Sequence, residues 1–274
     1  VWHKMRELAY KKHPYRWMTI GKELSHIENA KLDDVKNFFF KHYRPVNAVL
    51  VVAGNVTVER VKELAEKWFG DIPSGQKYNR SLPVEPEQTE ERFLEIKANV
   101  PLDALYKCWH MGSRMDSSYY AVDLMTDILS GGGSSRLYQS LVKEQKLFSN
   151  IECHHFGSTD AGLVVVEGKL VKGVKMEDAE KAVEKELEKM KNEKVADAEL
   201  QKVKNKTESM IAFEDMSVMS RANSLAYYET LGDAAWMNFE LQKYAKVTTE
   251  DILEQSRQIF RRENCSTIHY LSQN

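Results

Sequence analysis

The side chains best suited to chemistry in this 274-residue chain are spread out rather than grouped. Cys153, His154 and His155 stand in a row, and imidazole is the commonest metal-ligating side chain. Successive side chains of a strand point to opposite faces, so His154 and His155 cannot grip one ion together, whereas Cys153 and His155 share a face. No third ligand lies within sequence reach of them, and packing is the simpler role. Gly131-Gly132-Gly133 lacks the Lys-Ser/Thr of a P-loop and the G-x-G-x-x-G spacing of a dinucleotide fold. Its plain reading is a helix stop followed by a flexible joint, because glycine takes positive φ freely. Glu28, Asp33 and Asp34 make no pair suited to acid and base work. The three cysteines, Cys108, Cys153 and Cys265, are odd in number, far apart and without a C-x-x-C spacing, so they read as small core residues.

Composition narrows the function classes. Lys and Arg number 39 against 41 acidic residues, with no polybasic cluster to neutralise phosphates, which disfavours nucleic-acid binding. An apolar share of 42% with 29% charged residues describes a soluble globular protein. No run approaches the roughly 18 apolar residues of a membrane span. The length predicts two cores, or one core and part of another. The chain opens Val1-Trp2-His3, with neither an initiator Met nor a secretory pattern, so it reads as a piece of a longer protein whose compartment is open.

The elements that must position these residues follow from periodicity. A helix is expected over 31–43, with Val35, Phe38, Phe39 and His42 on one face. A strand covered on both faces is expected at Ala48–Ala53, then a helix capped by Thr57 with the stripe Val61, Leu64, Ala65 and Trp68. Residues 74–91 carry Gly75, Pro83 and Pro86 without periodicity and read as an interdomain linker. Beyond it come strands near 92–99 and 104–112, and a helix at 117–130 with Ala121, Leu124, Met125 and Ile128 on one face. Ser134 or Ser135 is expected to cap a helix reaching Gln145, before strands near 147–156 and 162–171. Helices follow at 176–192, at 196–230 in one or two pieces, and at 235–246. Thr248-Thr249-Glu250-Asp251 is a capping-box pattern opening the last helix, and a strand at 265–271 closes the chain. The charged run from Glu177 to Lys194 reads as a solvated helix face.

One ending occurs twice. Asp34-Val35 matches Asp251-Ile252, Tyr43 matches Phe260, and Asn47 matches Asn264, all at a constant offset of 217 residues. If each half is one copy of such a unit and the second begins near residue 91, roughly 120 residues of the first copy lie upstream of Val1.

His13-Pro14-Tyr15, Gly21, and Asp34-Val35…Phe39…Tyr43-Arg44-Pro45-Val46-Asn47 running on to Gly54-Asn55 resemble the closing part of a catalytic lobe in the insulinase/pitrilysin peptidase family, which includes the mitochondrial processing peptidases. Leu129-Ser130-Gly131-Gly132-Gly133-Ser134-Ser135-Arg136-Leu137-Tyr138 resembles the start of that family's second, usually metal-free lobe. The resemblance implies an α+β fold of two similar lobes, each an antiparallel or mixed sheet with helices packed on it, enclosing a chamber where an unfolded peptide is cut. Residues 1–90 would be the remainder of the metal-type first lobe plus linker, and 91–274 the second lobe. Gly131, Gly132, Gly133, Ser134 and Arg136 are the expected peptide-binding residues.

The family's zinc signature, H-x-x-E-H, sets two His ligands one helical turn apart with a Glu as general base. The eight histidines here never form it, and no Glu-His dipeptide exists. In the family both the signature and its distal Glu precede the His-Pro-Tyr segment, so zinc is expected in the parent protein and none in this chain. Active members also place an Arg and a Tyr in the second lobe to hold substrate and oxyanion. Here those places fall at Val142 and Ser149; Lys143, another group or a partner chain would have to substitute, unless this copy does not cut. Tyr138 and Phe148 read as core. Two functions follow from the resemblance. One is the non-metal part of a zinc endopeptidase, inactive by itself. The other is an inactive homologue that binds peptide or builds a complex as a homo- or heterodimer.

Overall fold

The computed structural model describes residues 1–273, which fall into two units. Unit 1 gathers Val1–Met18, Pro83–Thr207 and Gln242–Asn274, and unit 2 gathers Thr19–Leu82 and Glu208–Leu241. Its helices are α1 (Trp2–Ala9), α2 (Leu24–Glu28), α3 (Leu32–His42), α4 (Val58–Phe69), α5 (Tyr119–Ser130), α6 (Met176–Asn192), α7 (Asp197–Glu214), α8 (Val218–Leu231), α9 (Glu240–Lys246) and α10 (Thr249–Ile259). The strands are β1 (Arg92–Ala98), β2 (Ala104–Met111), β3 (Phe148–Phe156), β4 (Gly162–Leu170) and β5 (Cys265–Ser272). The fold is α+β, as the resemblance implies.

Unit 1 is built on one mixed sheet in the order β1-β5-β2-β4-β3. Only the β1–β5 pairing is parallel. The closing strand therefore lies inside the sheet, between two strands from much earlier in the chain. Alternation assigns each side chain to a face. On one face Met5 and Ala9 of α1, with Tyr10, pack on Cys108, Leu163, Val165 and Ile268. The other face carries α5, α6 and α10. The predicted stripes Ala121, Leu124, Met125 and Ile128, and Ala179, Val183, Leu187 and Met190, are all buried. All three cysteines are buried and unpaired, and burial pushes Cys265 up to about 11, so none is a poised nucleophile.

Several expectations need correction. The linker reading holds only for lack of regular structure, because its second half is pinned to unit 1. Glu85 accepts hydrogen bonds from the backbone N–H groups of Lys11, Lys12 and His13 (2.7, 2.8 and 2.8 Å), and buried Gln88 donates to the carbonyl of Cys265 (2.7 Å). Val1–Met18 lies in unit 1, where the apolar side of α1 covers the sheet. The helix expected after Ser134 or Ser135 is present over residues 136–144, but it is π-helical from Tyr138 to Glu144. The one expected at 235–246 opens as a 3-10 turn, Ala234–Phe239, before α9. The charged face of α6 is not wholly solvated: Glu186 is buried and Glu180 faces the sheet.

The largest departure lies in unit 2, where the strand expected at 48–53 does not form. Its residues are mostly exposed and join no ladder among the described residues, with Leu50 60% accessible, because a strand exists only where a neighbour takes its hydrogen bonds. The elements before it match the second copy closely. Both α3 and α10 have eleven residues and an acid that bonds the N-cap amide, Asp34 that of Lys31 (3.0 Å) and Asp251 that of Thr248 (2.7 Å), and Thr248 alone completes the capping box by accepting from the Asp251 N–H (3.1 Å). Each is followed by a 3-10 turn, Pro45–Asn47 or Arg262–Asn264. Asn47 donates to the His42 carbonyl (3.3 Å) as Asn264 does to that of Ile259 (2.9 Å). The second copy continues into β5, held on both edges; the first continues into residues 48–53, which join no sheet among the described residues.

Candidate functional site

The expected peptide-binding residues form the exposed turn that ends α5. The Gly131 N–H closes the helix onto the Asp127 carbonyl (2.6 Å), and a Cβ at Gly131 would sit 2.5 Å from that oxygen. Gly132 has φ +129 with open space around it, a backbone conformation that a side chain would strain. Ser135 N–H bonds the Gly132 carbonyl (2.9 Å), and the Gly133 carbonyl accepts from the Gln139 side chain. The amides of Gly133 and Ser134 donate to no acceptor among the described residues. Two lysines of α7 border the turn. Lys202 donates to Ser134 Oγ (3.1 Å), and Lys206 reaches Asp127 (2.9 and 3.0 Å) and the Gly131 carbonyl (3.4 Å). Exposed N–H groups beside ammonium groups suit a carbonyl or carboxylate.

Arg136 is set apart from this group. Its guanidinium is bidentate to Glu199 (3.0 and 2.6 Å) and touches Met190 Sδ (3.1 Å), so it ties the turn to α6 and α7. Val142 is half-buried and Ser149 exposed, its Oγ donating to the Lys169 carbonyl (3.1 Å). Lys143 lies 5.9 Å from the Tyr138 ring. Phe148 is buried and Tyr138 half-buried. The two α7 lysines escape a reading along the chain, since more than sixty residues separate them from the turn; only the packing of α7 beside it brings them there.

Behind the turn, two polar clusters join the helices to the sheet. Asp123 of α5 accepts from Tyr244 (2.5 Å) and pairs with His155 Nε2 (2.9 Å). Burial works against its charge, but these bonds hold the carboxyl below its usual range. Lys107 of β2, 2% exposed, meets Glu180 (2.5 Å) and Glu184 (3.0 Å) of α6, and His269 of β5 also bonds Glu180 (2.8 Å). Burial opposes the Lys107 charge and is outweighed by Cys265, Glu180 and Glu184, which raise its pKa. Glu180 is likewise held low by Lys107 and His269 in spite of burial. These groups engage one another, and among the described residues His155 Nδ1 is their buried atom without a partner. His154 and His155 point to opposite faces as expected, His155 toward Asp123 and His154 toward Trp2. A cavity of about 660 Å³ and mixed lining beside α10 is bordered by Glu85, Gln88, His110, Arg261 and Asn264 among others. Glu85 is already engaged there by three backbone amides.

With this geometry in place, comparison with known proteins is informative. The peptidase M16 inactive domain matches residues 29–207. Zinc protease PqqE of Helicobacter pylori is 30% identical over 186 residues, covering 67% of this chain and 42% of that protein. The uncharacterized zinc protease YmxG of Bacillus subtilis is 24% identical over 166 residues, 60% of this chain and 39% of its own length. The crystal structure of a protease from Helicobacter pylori superposes with a TM-score of 0.89 at 24% identity, over 98% of this chain and 66% of that one, a likeness of fold. The chain spans about two fifths of the length of these curated relatives. It belongs to the M16 zinc-protease family, as a stretch that includes that family's inactive domain.

Proposed function

We propose that this chain is the non-metal, peptide-accommodating part of a zinc-dependent endopeptidase, and that it has no peptidase activity alone. The observation that carries the reading is the repeated ending. Two copies of helix, 3-10 turn and asparagine bond are present, yet only the second copy's closing strand has a sheet. Residues 19–82 are then the closing elements of a metal-type lobe whose sheet comes from a segment upstream of Val1. That segment would also carry H-x-x-E-H, and zinc held there would supply the activated water. The Gly131–Ser134 turn, with its two unengaged amides and the ammonium groups of Lys202 and Lys206, would hold the extended peptide by its carbonyls. A second reading, a non-cutting subunit that binds peptide or a related chain, is favoured by Val142 and Ser149 standing where active members carry Arg and Tyr.

A quenched fluorescent peptide incubated with the chain, with and without zinc, is expected to stay intact. Binding of an extended peptide is expected to weaken at least fivefold in the double variant Lys202→Ala/Lys206→Ala. Zinc-dependent turnover by the chain itself, or peptide binding indifferent to both lysines, would refute the proposal. An upstream coding sequence without H-x-x-E-H would leave the subunit reading in its place.

A further inference from the structure

We propose that Glu152, His154 and Glu167 bind one divalent first-row cation on the sheet face that carries α1. Glu152 and His154 stand two residues apart on β3 and so project from the same face. Glu167 of β4 lies directly opposite Glu152 in the register. One ligand atom from each of the three falls within 4.8 Å of the others. Ligands around a tetrahedral ion stand about 3.4 Å apart, a closure that the exposed Glu152 side chain makes by changing rotamer.

Two features separate this group from an ordinary acidic surface. Opposed carboxylates on neighbouring strands repel, and none of the three side chains makes a hydrogen bond or ion pair among the described residues. Lys169 shares the face without pairing to either glutamate. A divalent ion balances the two carboxylate charges and turns the repulsion into a clamp between the edge strand β3 and β4. The His154 ring is also set by aromatic neighbours, with Trp2 at 6.0 Å and Phe156 at 5.1 Å between centroids. One imidazole nitrogen and two carboxylate oxygens suit zinc or cobalt and leave a coordination position open. No positioned base stands beside the cluster, so the assignment is a binding site that braces the sheet edge. It is separate from the catalytic zinc expected upstream, and it stands whether or not the chain belongs to an active peptidase.

The test uses the whole chain, stripped of metal, titrated with zinc chloride by calorimetry and with cobalt(II) by visible absorption. One equivalent is expected to bind, cobalt giving the intense bands of a tetrahedral N,O site, and Trp2 fluorescence is expected to change in step. His154→Gln, Glu152→Gln and Glu167→Gln should each weaken binding at least about tenfold. Trp2→Phe should abolish the fluorescence response and leave both the heat and the cobalt bands. Because Glu152 is exposed, Glu152→Gln folds normally and decides the matter if another variant does not. Absence of saturable binding, or an affinity that Glu152→Gln and Glu167→Gln leave unchanged, overturns the proposal.

Discussion

Asp123 and Glu180 are single side chains that fasten helices to the sheet, and both are carboxylates held below their ordinary pKa. Such a group contributes stability that is fully present above the unfolded carboxylate pKa, about 4, and is lost as pH falls through its depressed folded value. Unit 1 should therefore hold its stability between pH 5 and 7 and lose it progressively below about pH 4. Asp123→Asn keeps one acceptor for Tyr244 but no longer has a charge to protonate, so its urea midpoint should be lower at pH 7 and fall less steeply toward pH 3. A variant with the same acid slope as the parent would show that Asp123 is not the group being titrated. Lys107 belongs to the same scale. Its charge is deep in the sheet, and replacing it with alanine would strand Glu180 rather than merely remove a bond.

At the scale of elements, the chain performs its own comparison, because one helix-and-turn motif appears in two environments. Asn264 is buried and donates to both Ile259 (2.9 Å) and His110 (3.0 Å) carbonyls. Asn47 makes the equivalent local bond but is exposed. Removing a buried hydrogen-bonding group costs far more than removing one that water replaces. Asn264→Ala is expected to cost about 2 kcal/mol, and Asn47→Ala under about 0.5 kcal/mol, measured by chemical denaturation. Equal losses would mean that Asn47 is enclosed in solution as its counterpart is. The π-helical turn at Tyr138–Glu144 and the bidentate Arg136–Glu199 pair fix the far side of the glycine turn, leaving the amides of Gly133 and Ser134 as its unengaged groups.

The whole molecule combines a satisfied sheet unit with a second unit that is rich in uncovered apolar surface. Val35, Phe38, Phe39 and Phe40 of α3, and Trp68 and Phe69 of α4, are each at least half exposed, and neither helix has a buried residue. Exposed patches of this kind drive association. The chain should bind an apolar dye and sediment as a concentration-dependent mixture. If the proposed upstream part of the lobe exists, adding it should abolish both. A strictly monomeric, dye-silent chain would mean that this surface is covered internally. Among the described residues, no helix is long and apolar enough to cross a membrane.

Local physics is what the sequence determined. The stripes of α5 and α6, the caps at Thr57, Thr248 and Asp251, the glycine stop after Ser130 and the repeated ending were all legible, because each depends on residues within a turn or two of one another. The His-Pro-Tyr and glycine-loop words gave the family for the same reason. Tertiary structure decided what depends on register between distant segments. It placed β5 between β1 and β2, committed Arg136 to Glu199, buried Lys107 against α6, and set Glu167 opposite Glu152. It also left residues 48–53 without a strand, since backbone hydrogen bonds of a sheet belong to pairs of segments and no apolar run can make them alone.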